Sequence, residues 1–573
     1  MGCRHNAPST LYLCTCNFKI MIYPEIPLAQ SIIQICLAKG LTHIVISPGS
    51  RNAPLTIGFV NHPDFKCFSI ADERCAAFFA LGMAQQMRQP VALVCTSGSA
   101  LLNYYPAFAE AFYSQVPLVV ISADRPLDKI DIGDGQTIRQ QNVFVNHSLY
   151  NANLSEEASV AGDLKINTAI DIAVAKKGPV HINAPFEEPL YQTVEALSII
   201  AQITNNTPDK AYFDNNEIDN FVSIWNSSSR KMVLAGVNYP DCIREENIEK
   251  IASDNSVLVF TETTSNLHHP TFITTIDTFI TPFQHEDFED FKPEILVTFG
   301  GMIVSKSIKA FLRKYRPKHH WHIDPLRAYD TFGALSKHFK TDPNTFFDAF
   351  LPKTQRIDSD YFEKGHGIDA LRKIKQKIYL DKILFSDFKV FEEVISGLPK
   401  HSHLQISNSS AIRYAQLVAI DPSVKVYCNR GTSGIDGSTS TAIGAAFASK
   451  EATILITGDI GFLYDSNALW NKYIPKDFKI ILVNNGGGGI FRILPGHNET
   501  PVFNEFFETS HCFTAEHLAK MYGFDYTTAS SIDSLRSGLK DMYRQNEQPF
   551  ILEIFTPTRE NDRILLQFFK ELT

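Results

Sequence analysis

The sequence contains no CxxC pair, and its ten cysteines are spread over 573 residues. A disulfide-stapled scaffold and the common zinc arrays are therefore excluded. No apolar run approaches the roughly 18–20 residues that a bilayer-spanning helix needs. Positive charge is also scarce. Lys plus Arg number 53 against 62 Asp plus Glu, a formal charge of −9, so nothing draws the chain as a whole toward nucleic acid or an anionic membrane. The GxGxxG fingerprint of dinucleotide-binding domains is missing, and SPGSRNAP stands at the first strand–helix turn instead. The expected setting is a reducing cytoplasm, with small molecules rather than nucleic acid or membrane as partners.

Apolar material is ample. Hydrophobic residues make up 44% and aromatics 11%, enough to bury cores, and the length implies roughly three to four domains. Residues 1–20 hold a short, broken apolar patch and three cysteines; they are expected to be a disordered or over-extended start rather than a signal peptide, with Met21 an alternative beginning.

Short β-branched runs alternate with longer amphipathic stretches, the pattern of βα units around parallel sheets. In residues 21–190 the runs are His43–Ile46, Val91–Cys95, Pro117–Ser122 and Pro179–Asn183, followed by the turns SPGSR (47–51), TSGS (96–99), ADRP (123–126) and APFEEP (184–189). Residues 191–215 are polar and are expected to be a linker. A central unit over 216–352 carries runs at Lys231–Ala235, Val257–Phe260, Ile295–Phe299 and Trp321–Ile323, and a charged helical connection is expected over 353–380. Residues 381–573 repeat the first scheme with runs at His403–Ile406, Val424–Tyr427, Ala452–Ile456, Lys479–Val483 and Phe550–Ile554. The expected fold is α/β, with two related parallel-sheet domains flanking a third. In such sheets ligands gather at the carboxyl ends of the strands.

The most informative pair is Gly458-Asp459 after one apolar run and Asn484-Asn485 after the next. The separation admits one crossover helix between neighbouring parallel strands, which would bring both turns to one sheet edge. Mg²⁺ takes hard oxygen ligands and needs few protein groups when phosphates supply the rest. An Asp carboxylate, an Asn carboxamide and a backbone carbonyl suit it, and glycines 486–489 would let backbone approach a diphosphate. Taken singly, GD and NN are equally what a capped helix and a tight loop would show. Glu73, in ADERCAAFFALGMA (71–84), stands at a strand-to-helix entry. It could complement a helix dipole or serve as a partly buried acid with a raised pKa.

The ordered GD…NN pair resembles the metal–diphosphate motif of thiamin diphosphate-dependent enzymes. The resemblance implies that Asp459, Asn485 and the Gly487 carbonyl ligate Mg²⁺ (or Mn²⁺), although Ile460 stands where the commoner motif has Gly. It implies that Glu73 activates the aminopyrimidine, and that Ile435 holds the folded cofactor. Ser47, Pro48, Gly49, Ser433, Gly434, Gly458, Ile460, Gly488, Ile490 and Phe491 would complete the cofactor contacts. Glu73 and the metal motif come from different subunits in that family, which implies a homodimer or a dimer of dimers.

Further motifs narrow the resemblance: SPGSRNAPL (47–55), TSGSALLNYYPA (96–107), SADRP (122–126), DGQTIRQ (134–140), HINAPFEEPLY (181–191), NRGTSGIDG (429–437) and NNGGGGIFRILP (484–495). In this order they resemble the 2-succinyl-5-enolpyruvyl-6-hydroxy-3-cyclohexene-1-carboxylate synthases, transferases of menaquinone biosynthesis. Members decarboxylate 2-oxoglutarate on thiamin diphosphate and add the succinyl carbanion to isochorismate in a Stetter-type 1,4-addition. Both substrates are dicarboxylates, for which arginine is the suited partner. The resemblance implies a substrate pocket of Ser50, Arg51, Arg125, Gln136, Lys306, Ser409, Arg413 and Arg430, walled by Ile490, Phe491 and Leu494. Ser409 and Arg413 are expected at 2-oxoglutarate, and Arg51, Arg125, Lys306 and Arg430 at isochorismate. Gly135 stands where the family often has Asn. The alternatives are a pyruvate-type carboligase or decarboxylase with the same cofactor, or a nucleotide-binding protein without chemistry; each arginine could also be an ordinary ion pair.

Overall fold

A computed structural model describes residues 21–205, 215–493, 499–544 and 547–573. The expectation for residues 1–20 therefore lies outside the described residues. Three sheets carry the fold, and every pairing within them is parallel. The first comprises, in chain order, His43–Ile46, Lys66–Ser69, Val91–Cys95, Leu118–Asp124, Asn151–Asn153 and Val180–Pro185. The third comprises His403–Ile406, Lys425–Tyr427, Thr453–Gly458, Lys479–Asn484, Asp525–Ala529 and Phe550–Phe555. With strands numbered by chain order within each sheet, both run 2-1-3-4-6-5 across the sheet. The second sheet, of Lys231–Ala235, Val257–Thr261, Ile295–Phe299, His319–Ile323 and Leu335–Phe339, runs 2-1-3-4-5. The repeat expected from the motifs is thus a repeat of topology.

Central strands such as Val91–Cys95 and Leu118–Asp124 are buried along their whole length, because helices cover both faces of a parallel sheet. Four strands escape a reading of apolar runs: Lys66–Ser69, Asn151–Asn153, Leu335–Phe339 and Asp525–Ala529. Each is a sheet edge. An edge strand has one paired side and needs fewer apolar residues; KCFS, NAN, LSKHF and DYTTA look like loops accordingly.

The stretch expected as a linker is pinned to the first unit as far as residue 204. Thr193–Val194 pairs antiparallel with Tyr23–Pro24, and the Gln202 and Thr204 amides donate to Asp163 and Asn167. The second connection contains the helix Tyr361–Leu380.

One core cluster joins the first and third units. The helix Glu73–Met87 lies against Ser438–Ser449, and the contact is made by glycines. A Cβ at Gly82 would stand 2.1 Å from the Thr441 carbonyl oxygen, and one at Gly444 2.0 Å from that of Phe79. Only residues without a side chain admit so close an approach. The helix that begins with Glu73 is therefore set by the chain's own C-terminal unit.

Candidate active site

In each sheet the strand order reverses between strands 1 and 3, and the turns leaving those strands flank a crevice. In the third sheet these turns are Ser407–Ser410 and the start of the helix Asp459–Tyr464. Strand Thr453–Gly458 pairs directly with Lys479–Asn484, with Gly458 opposite Val483. Gly458-Asp459 and Asn484-Asn485 consequently leave the sheet side by side, as their spacing predicts.

Asp459 is 4% exposed. Its Oδ2 accepts the amides of Gly486 at 2.9 Å and Gly487 at 3.0 Å, and Oδ1 accepts that of Ile460 at 2.7 Å. Burial raises its carboxyl, against the pull of these amides and of His511, whose buried Nε2 lies 3.3 Å from Oδ2 with no hydrogen-bond partner among the described residues. The Asn485 amide donates to Asp387 at 2.9 Å, which fixes its rotamer. No hydrogen bond to Asn485 Oδ1 is made among the described residues. Asp387, held by Thr556 and Asn561, and His511 were not singled out by the motifs. They reach the Asn485 and Asp459 side chains from remote segments, which leaves no local sequence signal.

The donor chemistry, a carboxylate and a free carboxamide oxygen at one buried edge, fits a hard divalent cation completed by phosphate oxygens. Among the described residues no group of three or more His, Cys, Asp or Glu could hold a metal by side chains alone. The third expected ligand is presented otherwise. The Gly487 carbonyl accepts the Gly489 amide at 3.0 Å, and it is the Gly487 amide that faces Asp459. Ile435, half-buried, lies 3.8 Å from the position of a Cβ on Gly461, beside the diphosphate turn. Ser433 is exposed with φ 61°, and the Gly434 carbonyl accepts the Asn408 amide at 2.7 Å. Gly458, Ile460, Gly488 and Ile490 are half-buried, and Phe491 is exposed. Leu494 lies outside the described residues.

Glu73 opens its helix behind the N-cap Asp72. It is half-buried at the carboxyl edge of the first sheet, close enough to Cys95 and Tyr104 to reinforce the upward shift that burial imposes on both. The Tyr104 hydroxyl donates to Ser47 Oγ at 3.1 Å, so Glu73 and the SPGSR turn share one corner, with Pro48, Gly49 and Ser50 exposed there. The flanking residues bind the chain's own third unit: Asn467 donates to Asp72, and Arg74 to the Tyr464 carbonyl. Among the described residues no hydrogen bond or ion pair joins Glu73 to Asp459 or Asn485.

The basic residues fall into two groups. Arg51 is 3% exposed and ties the rim together, donating to the Phe186 carbonyl at 2.9 Å and to Glu188 at 3.0 Å. Arg125 pairs with Asp134 at 3.1 Å, and Gln136 is exposed nearby with φ 54°. These belong to the first unit. Arg413 and Arg430 lie close enough to act on each other where the second and third units touch, and Lys306 is exposed at the start of its helix. Arg430 donates to Asn408 at 2.6 Å, one residue before Ser409, which itself holds φ 71°. Glu110 of the first unit, buried and unsuspected from sequence, anchors this turn by accepting the amides of Gly431 at 2.7 Å and Thr432 at 2.6 Å. Burial and the Arg430 charge lower the pKa of Arg413. Unlike Arg51 and Arg125, neither Lys306, Arg413 nor Arg430 forms an ion pair among the described residues. Arg430 also borders a cavity of about 260 Å³ at the carboxyl edge of the second sheet. A hollow of about 520 Å³ around Arg230 and Lys364 opens at the amino edge and contains none of the expected residues.

Residues 26–147 match the thiamine pyrophosphate enzyme N-terminal TPP binding domain and residues 409–554 the C-terminal one. The chain is 68% identical to the 2-succinyl-5-enolpyruvyl-6-hydroxy-3-cyclohexene-1-carboxylate synthase of Flavobacterium johnsoniae, over 96% of this chain and 100% of that protein. It is 64% identical to that of Flavobacterium psychrophilum, with the same coverages. The chain belongs to the 2-succinyl-5-enolpyruvyl-6-hydroxy-3-cyclohexene-1-carboxylate synthase family. The synthase of Christiangramia forsetii is 51% identical over 96% of this chain and 99% of that protein. A family synthase thus carries its two thiamin diphosphate-binding domains on sheets of identical strand order. Among the described residues no helix is long and apolar enough to cross a membrane.

Proposed function

We propose that this chain decarboxylates 2-oxoglutarate with thiamin diphosphate and Mg²⁺ (or Mn²⁺), and joins the succinyl unit to isochorismate by 1,4-addition, in the menaquinone pathway of the cytoplasm. Thiamin diphosphate, when bound, supplies both the carbon nucleophile and the electron sink. The protein binds, orients and dries the site. Asp459 and Asn485 would hold the cation, with Gly487 contributing once its carbonyl turns from Gly489. Glu73 would hydrogen-bond the aminopyrimidine and hold its proton, in the half-buried corner beside Ser47. Because no hydrogen bond or ion pair among the described residues joins Glu73 to Asp459 or Asn485 of its own chain, a functional site would unite two copies, as a dimer or a dimer of dimers.

One observation carries the substrate assignment. In a chain of net charge −9, Arg413 and Arg430 stand within electrostatic reach of each other, and neither they nor Lys306 has an ion-pair partner among the described residues. Unneutralised cations at an inter-unit crevice suit a dianionic substrate. With cofactor, Mg²⁺ and isochorismate present, 2-oxoglutarate should release CO₂ and consume isochorismate. Faster CO₂ release from pyruvate would instead assign a pyruvate carboligase.

A further inference from the structure

The basic cluster does not stand alone. Two carboxylates of the central unit lie within its electrostatic reach. Glu262, 4% exposed at the carboxyl end of strand Val257–Thr261, accepts the Val304 amide at 2.7 Å and the Ser305 amide at 2.7 Å. Ser305 caps the helix Lys306–Lys314, whose first residue is the expected substrate lysine. The Ser305 hydroxyl in turn donates to Asp277, at the start of the helix Ile276–Ile280. Ser305 therefore joins both carboxylates through different atoms.

The two carboxylates act on each other as well as on nearby cations. Arg430 acts on Glu262, and Glu262 acts on Lys309, whose ammonium reaches back from the Lys306–Lys314 helix to donate to the Ile303 carbonyl at 3.0 Å. Arg413 acts on Asp277. Neither carboxylate forms an ion pair within 4.0 Å among the described residues; backbone amides and serine hydroxyls bind them instead. When ionised, the carboxylates thus act on Arg413, Arg430 and Lys309 without occupying the guanidinium faces that a substrate carboxylate would take.

We infer that Glu262 and Asp277 are positioning residues for substrate recognition, Glu262 setting the Lys306–Arg430 side that serves isochorismate and Asp277 the Arg413 side that serves 2-oxoglutarate. The inference rests on the dicarboxylate reading above. Burial, which pushes the Glu262 carboxyl up to about 7, is consistent with a group kept for its placement rather than for stability, since a desolvated carboxylate is costly.

The test is a paired KM-against-kcat measurement on the full-length holoenzyme with Glu262→Gln and Asp277→Asn. Glu262→Gln presents an amide group where two backbone N–H donors converge, and should raise KM for isochorismate about tenfold or more, with KM for 2-oxoglutarate within about twofold. Asp277→Asn should do the reverse. Both should keep kcat within about threefold and leave thiamin diphosphate affinity unchanged. Asp254→Asn, at the buried Lys231 pair of the same unit, controls for general loosening and should alter thermal stability without a KM change. Should Glu262→Gln fail to fold, Glu262→Asp, which keeps the charge but shortens the reach, replaces it and should raise the same KM less. Equal changes in both KM values, or none, overturn the inference. A wild-type protein that binds cofactor yet ignores both substrates overturns the dicarboxylate reading instead.

Discussion

Glu73 shows how one side chain can be legible by type and opaque by context. An acid in the first turn of a helix behind an Asp N-cap is also what dipole complementarity produces. The fold adds that this acid is half-buried beside Ser47, Cys95 and Tyr104 rather than on a solvated face. Glu73→Gln keeps the volume and removes the acid. Turnover measured with saturating cofactor should fall by about 10²-fold or more, the range for loss of a positioned acid–base group, while the melting temperature stays within a few degrees. Retained turnover would remove Glu73 from the chemistry. Arg51 and Arg413 illustrate the opposite problem. Arg51 sits in a rim turn and Arg413 in the short helix Ser410–Ala415 just after one, yet among the described residues one is ion-paired to Glu188 and the other is not; side-chain partners from distant turns decide that, and spacing cannot reveal it.

At the scale of elements, the Glu73–Met87 and Ser438–Ser449 helices set the geometry between the two cofactor domains. Gly82→Val would drive side-chain atoms into the Thr441 carbonyl, only 2.1 Å from a Cβ. Overpacking of this kind costs about 1–3 kcal/mol, so thermal unfolding should shift downward by several degrees; an unchanged midpoint would mean that the helices separate easily. Asp465 sits beneath the same junction. It is fully buried and accepts the Ser440 amide at 2.7 Å and the Ser440 hydroxyl at 2.9 Å. Burial pushes its carboxyl from 3.8 to about 7. The folded state thus binds this proton more tightly than the unfolded chain does. Its contribution to stability is fully present below about pH 4 and is lost as pH rises toward 7. Denaturant titrations across that window should show a shallower pH slope for Asp465→Asn than for the wild type.

At the scale of the whole molecule, the proposed site needs two copies, and this is open to a complementation test. Glu73→Gln and Asp459→Ala should each be inactive alone. If every site takes Glu73 from one copy and Asp459 from the other, an equimolar mixture that exchanges subunits places both defects in one site of each mixed dimer and leaves the other site intact. About a quarter of wild-type activity should return. No recovery, in a mixture shown to contain mixed dimers, would place both residues in one chain's site.

Much of this architecture was legible before any coordinates. The buried central strands announce themselves as apolar runs, because both faces of a parallel sheet are covered, and the Asp459–Asn485 juxtaposition follows from chain connectivity between adjacent strands. The edge strands Lys66–Ser69, Asn151–Asn153, Leu335–Phe339 and Asp525–Ala529 were not legible, since an edge is defined by its neighbour and not by its own composition. The same reason hid Asp387, Glu110 and Glu262, buried carboxylates that bind groups from remote segments.

By itself the sequence determined the α/β class, the duplicated domain and the residue types offered at the turns proposed to hold a diphosphate and recognise carboxylates, because periodicity and turn chemistry are local. Tertiary structure alone decided which arginines stand unpaired, which way the Gly487 peptide faces and what underlies the basic cluster. Those outcomes depend on Coulomb and hydrogen-bond partners separated by tens to hundreds of residues, which only the folded chain brings within reach.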